Sequence, residues 1–165
     1  MTHTNYIIHH DENLEFINNK IWEIKVAMFR AEASSLQCPP NNIIKTLKTD
    51  DHGHIWFLTS CNKVYAKNID KCFYASLDYY QKGTECRLRI SGSASLVEDN
   101  VETPVWISKK DKAQGVFLIK LKIMNAEYYE NKHVSAASLK GQVKNFFHKM
   151  FSAPDYRQYD FSKTI

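Results

Sequence analysis

The sequence predicts a mainly β (α+β) domain, a six-stranded antiparallel barrel with helices at its periphery. Three observations carry this reading: an aromatic-rich composition, successive segments that alternate apolar and polar residues with period two, and turn-forming residues at short intervals between them. Phe, Tyr and Trp make up 13% of the 165 residues, and such side chains suit half-buried pleated surfaces. The length is that of one domain, so residues 1–165 are read as a single unit, with an ordered core over about 12–151 ending in a C-terminal helix and a loose tail over 152–165. With 44% hydrophobic and 24% charged residues, and only five Gly and four Pro, collagen-like and disordered classes are excluded. A formal charge of +4 lies within the range of ordinary soluble surfaces, so no nucleic-acid partner is expected.

Asp11 is placed to cap a helix over about residues 12–21, because Leu14, Ile17 and Ile21 recur at helical spacing. From Ile24 to Ala33 the period changes to two, which predicts a first strand. Pro39 and Pro40 then force a loop, since neither can donate to a ladder. Ile43–Thr49 and Ile55–Thr59 form a predicted hairpin around Asp50-Asp51-His52-Gly53-His54, where Gly supplies the reversal. Lys63–Lys71 reads as a short helix and Phe73–Tyr80 as a strand, closed by Gln81-Lys82-Gly83-Thr84. Along Cys86–Val97 the set Cys86, Leu88, Ile90, Gly92, Ala94, Leu96 faces one way and Arg87, Arg89, Ser91, Ser93, Ser95 the other, giving a long strand with one wet face. Val101–Ile107 is a predicted short helix, and Val116–Glu130 a long strand that bends midway. Leu139, Val143, Phe146 and Met150 mark an amphipathic C-terminal helix.

Cys38, Cys61, Cys72 and Cys86 show no Cys-x-x-Cys spacing, so they are expected as reduced thiols filling apolar gaps, and no metal site is expected from them. The histidines His3, His9, His10, His52 and His54 lack acidic or thiol partners at fixed offsets. Met1–His10 contains no basic leader, and no apolar window is long enough to span a bilayer. The expected setting is therefore cytoplasmic, without a membrane partner.

A resemblance rests on several segments taken in order: the first helix, Val26-Ala27-Met28-Phe29, Asp51-His52-Gly53-His54-Ile55-Trp56-Phe57-Leu58-Thr59, the Lys-bearing segment after it, Ile90-Ser91-Gly92-Ser93-Ala94 to Asp99, and Ala126-Glu127-Tyr128-Tyr129. Over about residues 12–130 the chain resembles the pyridoxamine 5′-phosphate oxidase-like split-barrel family, and within it the general-stress-protein branch. The resemblance implies a six-stranded split β-barrel and a homodimer with FMN in clefts at the subunit interface. It also implies flavin-dependent redox chemistry on a small-molecule substrate that the sequence does not name. By the same resemblance, the FMN phosphate is held by the hairpin strands and the segment after the Thr strand. The corresponding candidates are Asn42, Ile43, Ile44, Leu58, Thr59, Ser60, Lys63 and Lys67.

The residues can be weighed on their own chemistry. A phosphate needs cations and hydrogen-bond donors, which Thr59, Ser60, Asn62, Lys63 and Lys67 can supply. Thr59 and Ser60 equally suit a helix cap, Lys63 and Lys67 a solvated face, and Trp56 and Phe57 the core. Trp106 and Tyr128 suit a core or a dimer contact. Arg87 and Arg89 read either as exposed ion pairs or as a site for an acidic substrate. Asn42-Ile43-Ile44 stands where the family carries an Arg-bearing element, and it holds no Arg. This leaves a second expectation, a flavin-free barrel acting as a binding or interaction module. The Phe146–Ile165 tail has no Trp, which disfavours oxidation of pyridoxamine phosphate itself.

Overall fold

The computed structural model describes residues 11–32, 39–62, 69–83, 85–97, 115–131 and 155–162. Among these are one helix, α1 (Glu12–Ile24), and seven strands: β1 (Val26–Glu32), β2 (Asn42–Thr49), β3 (His54–Ser60), β4 (Cys72–Gln81), β5 (Cys86–Leu96), β6 (Val116–Glu130) and β7 (Asp155–Asp160). The sheet runs β3-β2-β1-β4-β5-β6-β7, and an additional β3–β6 pairing closes the first six strands into an antiparallel barrel. The expected six-stranded split barrel is therefore present, with one strand added.

Asp11 caps α1 as expected, its carboxylate accepting from the Asn13 amide at 3.0 Å and the Leu14 amide at 3.3 Å. The helix runs three residues past its expected end. It stops at Lys25, whose φ of 67° turns the chain and whose N–H bonds the Ile21 carbonyl. Leu14, Ile17 and Ile21 are buried with Phe29, Phe57, Leu88 and Leu121 in the main core. Trp22 Nε1 donates to Thr49 Oγ1 at 2.9 Å, and Asn18 Nδ2 to the Asp50 carbonyl at 3.2 Å, tying the helix to the β2–β3 turn.

The strand β6 is long because it serves two neighbours along one edge. Val116–Lys122 pair with β3, and Asn125–Glu130 pair with β7. On its other edge, the pairing to β5 slips between Ser91 and Gly92, leaving Met124 as the extra residue. The Met124 carbonyl accepts the Phe161 amide at 2.7 Å, so this bulge is the expected midway bend. Gly92 is required there, because a Cβ would lie 1.9 Å from the Lys122 carbonyl oxygen.

Two expectations are corrected. The 152–165 tail is not loose throughout, since Asp155–Asp160 is a paired strand whose Arg157 and Tyr159 flank Phe16 of α1. Cys72 does not fill an apolar gap but is exposed, whereas Cys61 and Cys86 are buried; all three are free thiols. The predicted helices over Val101–Ile107 and Leu139–Met150, residues 63–68 of the predicted Lys63–Lys71 helix, and Trp106 lie outside the described residues. Residues 69–71, which are described, are not helical.

Candidate functional site

The start of β2 and the end of β3 meet at the open end of their hairpin, which brings six of the eight candidate residues together. Asn42 Nδ2 donates to Ser60 Oγ at 3.3 Å, while Asn42 Oδ1 accepts the Ile43 amide at 2.9 Å. Strand alternation sends Ile44 and Thr59 inward, where both are buried, and leaves Ile43 66% exposed. Leu58 is half-buried on the outward side. Lys63 and Lys67 lie outside the described residues. Beyond Ser60 the chain is fixed by the Cys61 amide, which donates to the Gly115 carbonyl at 2.8 Å.

Thr59 is 3% exposed, yet its Oγ1 has no hydrogen-bond partner among the described residues. A buried hydroxyl without a partner carries a desolvation cost of about 1–3 kcal/mol, and occupation by an external polar group would remove that cost. Ser60, next on β3, faces the other side of the strand, and its exposed hydroxyl with the Asn42 amide offers hydrogen-bonding groups of the kind that suit an oxygen-rich group such as a phosphate ester. These positions hold no guanidinium.

The outward face of β3 and β6 adds an apolar floor. Trp56 and Leu118 are buried there with Leu47, Leu58 and Val97 packed around them, apart from the main core. Lys48 Nζ lies 4.7 Å and Lys120 Nζ 5.1 Å from the centre of the Trp56 ring, positions that place two cations on its negative face. Trp56 and Phe57 are both buried core residues as expected, Phe57 in the main cluster and Trp56 in this smaller one. Reasoning from sequence missed Lys48 and Lys120, whose signal was their position beside outward apolar residues on paired strands. At the hairpin turn, Asp50 Oδ2 lies 2.9 Å from His54 Nδ1. Burial would raise the Asp50 carboxyl, but hydrogen bonds from the His54 amide, the His54 ring and the His52 amide outweigh it and hold the group below the ordinary carboxylate range.

At the opposite end of the sheet, Arg87 and Arg89 do form ion pairs. Asp78, nearly buried on β4, is approached by Arg87 at 3.1 Å, Arg30 at 3.2 Å and Arg89 at 3.9 Å. Arg87 and Arg89 line a cleft of about 460 Å³ with Tyr80, Glu85, Glu127, Tyr129 and Tyr156. Tyr128, a candidate for the core or a dimer contact, is buried; it packs edge-on against Phe16 and donates to Glu130 at 2.9 Å. Among the described residues no group of three or more potential metal ligands occurs, and no helix is long and apolar enough to cross a membrane.

Residues 12–150 match the sequence model of the family described as pyridoxamine 5′-phosphate oxidase like. No curated protein matches the chain. Among solved structures, a protein related to general stress protein 26 of B. subtilis (pyridoxinephosphate oxidase family), from Clostridium acetobutylicum, is 12% identical with a TM-score of 0.57, over 94% of this chain and 99% of that one. The general stress FMN/FAD binding protein of Xanthomonas citri is 18% identical with a TM-score of 0.54, over 76% and 94%. PhzG of Burkholderia lata, in complex with tetrahydrophenazine-1-carboxylic acid, is 11% identical with a TM-score of 0.51, over 97% and 98%. At such identities the likeness is one of fold.

Proposed function

The chain belongs to the pyridoxamine 5′-phosphate oxidase-like family, and on that premise we propose that it binds FMN and acts as a flavin-dependent oxidoreductase, as a cytoplasmic homodimer with the cofactor at the subunit interface. The observation that carries this reading is the exposed Asn42–Ser60 pair at the open end of the β2–β3 hairpin, next in the chain to a buried Thr59 hydroxyl that has no hydrogen-bond partner among the described residues. The Xanthomonas citri neighbour, described as FMN/FAD binding, supports a flavin in a barrel of this shape. Exposed Val26, Met28 and Ile43, with Met28 and Ile43 paired across β1 and β2, support a second copy against this side of the barrel.

When bound, the flavin supplies hydride and single-electron transfer. The chain's own residues bind and orient it. Thr59, Ser60 and Asn42 offer hydrogen bonds to phosphate oxygens, and Lys63 and Lys67 supply the charge that arginine supplies elsewhere in the family. Trp56, Leu58 and Leu118 form an apolar floor that excludes water, and Lys48 and Lys120 edge it with positive charge.

The test is a visible absorption spectrum of the purified full chain. Flavin bands should persist through gel filtration, and Lys63→Ala should lose most of the bound flavin. Colourless protein that takes up no FMN at micromolar concentration would overturn the proposal. The absence of arginine at Asn42, Ile43 and Ile44 favours a second reading, a flavin-free binding module. That reading requires Lys63→Ala to leave both stability and ligand-dependent behaviour unchanged.

A further inference from the structure

The outward face of β4 to β7 carries two rows of side chains in register. Tyr80 lies opposite Arg87, Arg87 opposite Tyr129, and Tyr129 opposite Tyr156. Two residues along each strand, Asp78, Arg89, Glu127 and Gln158 form the next row. Tyr80, Arg87, Arg89, Glu127, Tyr129 and Tyr156 of these rows, with Glu85, line the cleft of about 460 Å³, a volume typical of small-molecule sites. Tyr80 and Tyr156 remain 59% and 56% exposed, which is unusual for large rings unless something covers them.

The charges of this patch decide what would fit. Arg87 and Arg89 are drawn toward Asp78, which fixes the two guanidiniums while leaving most of their N–H groups open. Glu127 stands directly across from Arg89, but among the described residues its carboxylate forms no ion pair. Donors from β5 and an acceptor from β6 therefore rise from neighbouring strands whose backbones run about 4.8 Å apart, with the arginine heads leaning toward β4 and Glu127 on the other side. A simple anion would meet Glu85 and Glu127 as well as the arginines, and a plain hydrocarbon ring would leave both kinds of group unsatisfied.

A flat heterocycle carrying acceptor and donor atoms next to one another on one edge satisfies both while its faces lie against tyrosine. We infer that this cleft is a binding site for a purine-type ring, with guanine the best match. The N1–H and N2–H of guanine pair with the Glu127 carboxylate, and the neighbouring O6 accepts from guanidinium, by the donor and acceptor logic that governs base recognition. The site does not depend on the flavin reading, since it lies at the far end of the sheet from Thr59 and calls for no phosphate.

The experiment titrates the full chain with guanosine, which has no phosphate to engage the other site, followed by calorimetry and tyrosine fluorescence. Saturable sub-millimolar binding is expected. Glu127→Gln, an exposed change that keeps the shape, should weaken it about tenfold through loss of a charged hydrogen bond, and Tyr156→Ala should weaken it by a similar factor. Benzoate, an aromatic anion with no donor edge, should not compete. Absence of guanosine binding, benzoate competing as well as guanosine, or indifference to Glu127→Gln would each overturn the inference. So would conversion of a dimer to a monomer by Tyr156→Ala, which would mark the patch as an interface between copies. Loss of bound flavin in the cleft variants with guanosine binding intact would reassign the cleft to the flavin site, and that too would overturn it.

Discussion

The two ends of the sheet handle their cations in different ways. At the β2–β3 end, a buried Thr59 hydroxyl has no partner among the described residues, and on the outer face of the same strand two lysines lie over the Trp56 ring. At the β4–β7 end, Asp78 gathers Arg30, Arg87 and Arg89 within 4.0 Å and so orders its own cations. Among the described residues the Thr59 hydroxyl has no partner of any kind, whereas Asp78 is ion-paired from within even though its Oδ2, like Ser76 Oγ and Gln81 Oε1, has no hydrogen-bond partner. An external ligand should therefore change stability most at Thr59, while mutation of an internal partner should matter most at Asp78.

The bulge of β6 separates the two ends, and disturbing it gives the largest expected effect. Gly92→Ala places a Cβ against the Lys122 backbone, which no rotamer can relieve. The expected cost is about 3 kcal/mol, seen as a fall of about 10 °C in Tm. Because both halves of β6 hang on this point, the cleft and the β2–β3 end should weaken together. Loss at only one end would show that the halves are independent.

Asp78→Asn comes next. It removes the charge that orders three half-exposed guanidiniums, with an expected cost of about 1.5 kcal/mol by urea denaturation. The effect should shrink at high salt, because the arginines face solvent. Thr59→Val is smaller and opposite in sign. Removing an unpartnered buried hydroxyl should stabilise the free protein by about 1 kcal/mol while weakening FMN binding about tenfold. Destabilisation together with unchanged FMN affinity would show that Thr59 serves the fold alone and would erase the contrast between the ends.

How far the sequence foretold this molecule follows from which forces are local. The alternation from Cys86 to Leu96 was legible because that strand has one wet face, and Leu14, Ile17 and Ile21 marked the buried side of α1. The helix end was misplaced because Lys25 turns through a positive φ, a conformation its residue type does not advertise. Strand β7 was missed because Asp155–Asp160 shows no apolar alternation of its own and forms where the second half of β6 offers an open edge. At the site, the grouping of Asn42 with Ser60 was implied only by family resemblance, and the geometry supplied the contact. The partner of Arg87 and Arg89 was invisible, since Asp78 comes from a neighbouring strand.

The smallest expected effect concerns Asp50 at the β2–β3 turn. Asp50 accepts from the His52 and His54 amides at 3.0 and 2.8 Å and meets the His54 ring at 2.9 Å, and these contacts hold its carboxyl below the ordinary range despite burial. A carboxyl held lower in the folded than in the unfolded chain contributes stability that is complete near neutral pH and is lost as the pH falls below about 4, where the unfolded group takes up its proton first. The stability gap between wild type and Asp50→Asn should therefore be widest at pH 7 and should narrow toward pH 3, as read from urea midpoints at each pH. Its main partners are backbone amides fixed by the turn, so the gap should respond to salt less than the Asp78 effect does. A gap that stays constant with pH would show that Asp50 acts through turn geometry alone, and a gap more salt-sensitive than that of Asp78 would invert the proposed difference between the two ends.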